Sequence, residues 1–249
     1  MPSIPSILAD TELSCSVKIC YAAETGSRIW GYASELSDYD VRFIYIHSPD
    51  WYLSIDQGRD VIELSASGPL DMSGWELTKA MRLFRKSNPS LLEWLYSETV
   101  YVNRYSLADR LRMLNDSYFE PKPALFHFLT ILNSNKKRLA GNEIPVKAYL
   151  NLLRAMASAS WVAKRGTFPP SGEQVFTNTH QILKDEFSRA GAEKLSHNLS
   201  ISLSREVQEF IHLEYENLRE RAESFNKKGE DPTPELNLLF RNVLHKAWK

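Results

Sequence analysis

The pattern of apolar and polar positions changes character near residue 104. Up to that point the apolar runs are short. Ser16 to Tyr21 is a brief apolar and β-branched run, and Val41 to His47 alternates aromatic with aliphatic residues, Arg42 being its polar exception. Runs of this length and composition predict strands. A third strand is expected over Asp60–Leu64, set off by the Gly58-Arg59 turn, while Asp50–Ser54 reads as a loop or short edge strand. Residues 1–14, broken by Pro2 and Pro5, read as a lead-in with a short helix. Residues 28–34 read as a further short helix, with a turn from Glu35 to Asp38. After the Gly68-Pro69 break, Ser73 and Glu76 have capping-box spacing ahead of an apolar face, which predicts a helix from Ser73. A second helix is expected from Ser87-Asn88-Pro89.

Beyond Arg104 the apolar residues recur every three or four positions. Helices are predicted over Tyr105–Asn115, Pro123–Ala140, Pro145–Lys164, Gln174–Ala190, Arg205–Phe225 and Glu235–Trp248, with polar or proline-containing breaks between them. The expected fold is therefore α+β: a small unit of mixed sheet and helices over residues 1–104, then an all-α bundle over 105–249. A protein that uses both parts should carry a cleft between residues before and after Arg104.

Composition narrows this picture only a little. The 249 residues include 30 Lys and Arg against 31 Asp and Glu, a net charge of −1, so no global field draws the chain to nucleic acid. The Lys136-Lys137-Arg138 run reads as a helix end that complements its dipole. A strand or helix between Cys15 and Cys20 separates them too much, or points them apart, for an easy disulfide, and they read as small hydrophobes in a reducing compartment. No apolar run approaches a membrane span. The N-terminus has no signal-peptide pattern, so a cytoplasmic protein without membrane contact is expected. The six histidines lack zinc-ligand spacing with a cysteine pair and read as structural or surface groups. No Gly-rich Lys loop, nucleophile elbow or dinucleotide fingerprint occurs.

The candidate chemistry lies between Gly26 and Ile46, GSRIWGYASELSDYDVRFIYI. Asp38 and Asp40 stand two apart where the second strand begins, so their side chains point the same way. Two carboxylates that close are costly unless a cation joins them, and hard oxygen ligands suit Mg²⁺. Gly26-Ser27 can sit at a helix start, where unpaired backbone N–H groups favour phosphate. Arg28 follows as a charged donor. Trp30 reads as core, like Trp75, Trp94 and Trp161, although it is near enough to this turn to border a base pocket.

Gly26-Ser27, about ten intervening residues and Asp38-Tyr39-Asp40 resemble the signature of the polymerase-β-like nucleotidyltransferases. The stretch SGWELTKAMRLFRKSNPSLLEWLYSETVY, Ser73 to Tyr101, resembles more narrowly the predicted nucleotidyltransferases of the YcgL/RlaP type, the RNA-ligase-associated group. The resemblance implies an NTP substrate (ATP by default), a Gly-Ser turn on the triphosphate and two Mg²⁺ or Mn²⁺ ions held by three carboxylates. Asp71 is preferred as the third carboxylate, with Glu63 as its competitor. Lys79 and Arg82, on the helix after Asp71, and Lys147 and Arg154, seven apart on one helical face, are candidate phosphate contacts; a solvated surface role is the alternative for all four. The implied reaction moves an NMP to the hydroxyl of an RNA end, a protein side chain or a small molecule. A catalytically silent nucleotide- and metal-binding regulatory module is the alternative.

Overall fold

The computed structural model describes residues 3–33, 37–56, 58–65, 69–136, 138, 143–226 and 229–249. The expected turn from Glu35, the Gly68 break, Lys137 and the predicted helix end at Ala140 lie outside the described residues. After helix α1 (Ile4–Ser14) come β1 (Lys18–Thr25), a 3-10 turn (Gly26–Arg28), β2 (Tyr39–Ile46), a short α2 (Pro49–Tyr52), β3 (Val61–Ser65) and β4 (Leu70–Glu76). Helices α3 (Leu77–Arg85) and α4 (Pro89–Leu95) follow, then β5 (Val100–Asn103). The remainder is α5 (Leu107–Tyr118), α6 (Pro121–Lys136), β6 (Glu143–Pro145), α7 (Val146–Arg165), a 3-10 segment (Gly172–Asn178), α8 (Gln181–Leu195), β7 (Ser200–Ser202), α9 (Arg205–Ser224) and α10 (Thr233–Ala247). The α+β architecture is thus as expected: a mixed sheet with its helices, then a largely helical region.

The sheet order is β3-β4-β2-β1-β5. Strands β2 and β4 run parallel and the other neighbours antiparallel. Alternation of strand side chains gives the sheet two apolar faces. Val41, Phe43, Tyr45 and Met72 pack towards Leu8 of α1 on one face. Tyr21, Ala23, Ile44 and Ile46 join α3, α4 and the later helices in one continuous core on the other. Burying both faces explains why β2 reads as an almost unbroken apolar run. In the helical region α7 is the central element, packed against α6, α8 and α9. Among the described residues no helix is long and apolar enough to cross a membrane.

Several elements depart from the sequence reading. The first strand continues through Glu24 and Thr25, because Thr25 pairs with Asp40 and its hydroxyl donates to the Asp40 carbonyl at 3.1 Å. The expected helix over 28–34 is a 3-10 turn over Gly26–Arg28. Asp50 belongs to a short helix, not an edge strand. The largest correction concerns Ser73, which lies inside β4, not at a helix start. Gly74 sits opposite Phe43 in register, and a Cβ there would stand 2.1 Å from the Phe43 ring, so this glycine serves close strand packing. The helix starts at Leu77 instead. Glu76 caps it by accepting from the backbone N–H of Thr78 at 2.8 Å and of Lys79 at 3.3 Å. A Ser-x-x-Glu spacing fits both arrangements; pairing along the whole of β2 decides for the strand.

Candidate active site

The site forms where β1 ends and β2 begins. Gly26 turns the chain with a φ of +71°, in the left-handed region, and a Cβ there would lie 1.9 Å from the Asp40 carboxylate. Glycine is needed on both counts. The turn therefore brings backbone against Asp40, beside Ser27, which lines the same cavity. Asp38 and Asp40, two positions apart at the strand entry, both line it as well. Behind them, buried Glu24 accepts from the Asp40 backbone N–H at 3.0 Å and from the Tyr101 hydroxyl, which pins the first residues of β2.

Across the cavity stands the helical region. Lys147, Asn151 and Arg154 present one face of α7, and Lys194, His197 and Asn198 close the wall from the end of α8. The cavity is about 630 Å³, within the range of small-molecule sites, and is lined from both sides of Arg104, as the expected cleft requires. Arg154 is held on three sides: its Nη2 pairs with Glu93 at 2.6 Å, its Nη1 donates to the Tyr32 hydroxyl at 3.2 Å, and its Cζ lies 4.1 Å from the Trp30 ring centroid. Lys194 Nζ sits 4.6 Å from the Tyr32 ring centroid.

The electrostatics fit an anionic ligand. Burial lowers the Lys194 ammonium from its usual value, and repulsion from Lys147 and Arg154 lowers it further, while Asp40 and Asp38 pull it back. A polyanion lying among these cations would relieve that strain. On the acidic side, burial raises the Asp40 carboxyl; Arg42 counters this, and Asp71 and Asp38 add to it.

Asp71 faces Asp40 in register across the parallel β2–β4 pair. Its carboxylate accepts from Arg42 Nη2 at 2.7 Å, the bond that holds it below the usual carboxylate range. The same nitrogen is 3.5 Å from Asp40. Arg42 thus already supplies a cation between these two carboxylates. Among the described residues no three His, Cys, Asp or Glu side chains converge as a ready metal cluster. The donor set is nonetheless hard oxygen chemistry, as Mg²⁺ prefers, and Asp38 and Asp40 are open to the cavity. Glu63 is placed differently. It lies on the outer strand β3, opposite Ser73, and pairs with Arg59 at 3.2 Å.

Of the cations expected from sequence, Lys147 and Arg154 reach the cavity and three others do not line it. Arg28 turns back, donating to the Ser37 carbonyl at 2.9 Å with its Cζ 3.7 Å from the Tyr39 ring centroid. Lys79 is ion-paired with Asp60 at 2.9 Å. It follows the C-terminal end of β4, whereas Asp71 stands at the N-terminal end, so the length of the strand separates them. Arg82 donates to Thr78 on its own helix at 3.3 Å. Tyr149 is buried and donates to Glu186 at 2.6 Å. Lys136 runs to α9, with His212 Nδ1 at 2.7 Å and Glu216 at 3.7 Å.

Sequence reasoning missed Lys194, Asn151, Tyr32, His197, Glu24 and the bridging role of Arg42. Asn151 was legible, since it lies between Lys147 and Arg154 at helical spacing. Lys194 had no local signal, being on another helix. His197, expected to be structural or superficial, lies in the cavity wall.

A Gly-Ser turn against paired carboxylates at a strand mouth, faced by cations, is an arrangement compatible with phosphoryl transfer. Comparison with known proteins agrees in class. Residues 3–242 match the model of the RNA repair pathway DNA polymerase beta family (RlaP), and the chain belongs to that family. It is 41% identical over 247 residues to the uncharacterised protein YcgL of Bacillus subtilis (strain 168), covering 96% of this chain and 94% of that one. The solved structure of a nucleotidyltransferase-like protein from Exiguobacterium sibiricum 255-15 aligns over 98% of this chain and 80% of its own, with a TM-score of 0.33 and 13% identity. That likeness is too slight to bear on fold or chemistry.

Proposed function

We propose that the protein is a metal-dependent nucleotidyltransferase, moving an NMP from an NTP, ATP by default, to an acceptor hydroxyl with release of pyrophosphate. The carrying observation is the single cavity in which Gly26-Ser27 and the Asp38/Asp40 pair face Lys147, Arg154 and Lys194. The two divalent ions of such a reaction, Mg²⁺ or Mn²⁺, would be held by Asp38, Asp40 and Asp71, and would supply Lewis-acid stabilisation and acceptor activation. The Gly26-Ser27 turn offers N–H groups and a hydroxyl to the triphosphate. Lys147 and Lys194 neutralise its charge, and Arg154, locked by Glu93 and Tyr32, keeps the far wall of the cavity fixed. The acceptor oxygen attacks the α-phosphorus, the bond to the β-phosphate bridge breaks, and the hydroxyl proton passes to solvent. No side-chain nucleophile is required. An RNA end is the first acceptor to test, given the family's description, followed by protein hydroxyls. A cytoplasmic location is part of the proposal, as is a division of labour in which residues 1–104 carry the chemistry and residues 105–249 supply the cationic wall. Arg28 is assigned to holding the Gly26–Tyr39 loop.

One observation favours the alternative of a silent nucleotide-binding regulatory module: Arg42 engages the Asp71 carboxylate that would complete the metal set. Incubation with each α-³²P-labelled NTP, Mg²⁺ or Mn²⁺, RNA and cell extract separates the two. Label transferred by the wild type and not by Asp38→Ala/Asp40→Ala supports the enzyme. Metal-dependent NTP binding without transfer supports the module, and neither transfer nor binding sinks both.

A further inference from the structure

A second cavity, about 330 Å³, lies on the other side of Arg154, and Arg154 and Asn151 line both. Its volume is at the lower end of small-ligand sites. Its character is unlike that of the first. Trp30, Phe168, Pro89 and Pro170 give it apolar walls, and His127, Asn135, Asn151 and Ser158 contribute hydrogen-bonding groups. Arg154 is its single Lys or Arg among the described residues, already paired with Glu93, so a second phosphate finds no uncommitted charge there. Burial also lowers the His127 pKa, which favours the neutral imidazole, a form with one donor and one acceptor nitrogen. Trp30 is 4% exposed, yet its indole Nε1, a buried donor, has no hydrogen-bond partner among the described residues. Buried N–H groups are rarely left so, because water no longer compensates them.

We infer that this second cavity receives a nucleobase, its faces against the apolar walls and its edge on the Asn and His groups. The inference deepens the proposed function and rests on it for the source of the base. That source is either the NTP whose triphosphate occupies the first cavity or the terminal nucleotide of an acceptor. Aromatic and proline walls with mixed donors and acceptors suit a planar heterocycle, and the shared Arg154 and Asn151 wall sets it next to the first cavity.

The test fills the second cavity while leaving the first intact. Ser158→Leu does so from α7, and Asn135→Trp does so from the half-buried rim of α6, in case the first variant fails to fold. Binding of inorganic tripolyphosphate, of each NTP and of a short oligoribonucleotide is measured by calorimetry with Mg²⁺. If the donor base occupies the cavity, NTP affinity falls about tenfold or more towards that of tripolyphosphate, the size of one lost stacked base. Tripolyphosphate affinity stays within about twofold. If the acceptor base occupies it, the oligoribonucleotide shows that loss and the NTPs do not. Unchanged affinity for every base-containing ligand in a folded variant overturns the inference. A wild type that binds neither NTP nor tripolyphosphate overturns the proposed function instead, and the oligoribonucleotide arm still decides the cavity.

Discussion

The two walls of the main cavity were built in different ways. The acidic wall comes from fifteen consecutive positions, Gly26 to Asp40, and its geometry follows from local rules: a left-handed glycine, a strand start and an i, i+2 pair. The cationic wall comes from Lys147 and Arg154 on α7 and Lys194 at the end of α8, and only the packing of those helices brings them opposite the strand mouth. The cations nearest the acidic residues in sequence, Arg28 and Lys79, are committed elsewhere, to Ser37 and Tyr39 and to Asp60. Nearness along the chain therefore finds the carboxylate pair that lines the cavity and not the cations that face it. A strand sets two side chains side by side from positions i and i+2, whereas groups that face one another across a cavity come from separate elements.

The sharpest way to break this contrast is at the acidic wall. Asp38→Ala/Asp40→Ala is expected to lower nucleotidyl transfer by about a thousandfold or more, the scale of losing charge stabilisation at a reacting phosphoryl group. Residual transfer above a tenth of wild type would show that the pair is not the ligand set. Next comes the third carboxylate. Asp71→Asn should cost about a hundredfold in transfer while Glu63→Gln stays within about twofold. The reverse ranking would move the site one strand outward. At the cationic wall, Lys147→Ala and Lys194→Ala should each weaken NTP binding by about tenfold, as expected for one charge-assisted contact of about 1.5 kcal/mol. Equal affinities in a titration calorimeter would leave the helical region without a part in phosphate binding.

A smaller effect concerns stability. Burial raises the Asp40 carboxyl, so folding favours its protonated form. The resulting stabilisation is present at low pH and is lost as pH rises through the raised value. At neutral pH the ionised carboxylate is a cost, and Asp40→Asn should raise the melting temperature of the metal-free protein by about 2–4 °C. The gain should shrink as pH falls and the wild-type carboxyl protonates. A lower melting temperature at pH 7 would mean that the Arg42 contact outweighs burial. Smallest of all, Lys79→Ala should leave NTP affinity and transfer within about twofold, with stability changed by no more than about 0.5 kcal/mol, since it breaks one partly exposed ion pair.

What the sequence determined by itself was what depends on short-range geometry. The Gly26-Ser27 turn, the Asp38/Asp40 pair, strand β2 and the helical period after Arg104 were legible because strand alternation, helix period and glycine's conformational range act within a few residues. Lys147 and Arg154 were placed on one face by the same period. What only the tertiary structure decided was whatever requires knowing a distant partner. The segment around Ser73 could be strand or helix until β2 and β3 paired with it on both sides. Arg42 looked like an exception in a strand until register set Asp71 beside Asp40, within reach of its guanidinium. Lys194 carries no mark in its own helix, because its role is defined by the packing of α8 on α7. Trp30 could be core or pocket, and the fold makes it both: buried among Phe176 and Phe187 on one side, and lining the second cavity on the other. Local steric preferences are written in neighbouring residues, whereas opposition across a cavity is the sum of many packed contacts and is fixed only when the whole core closes.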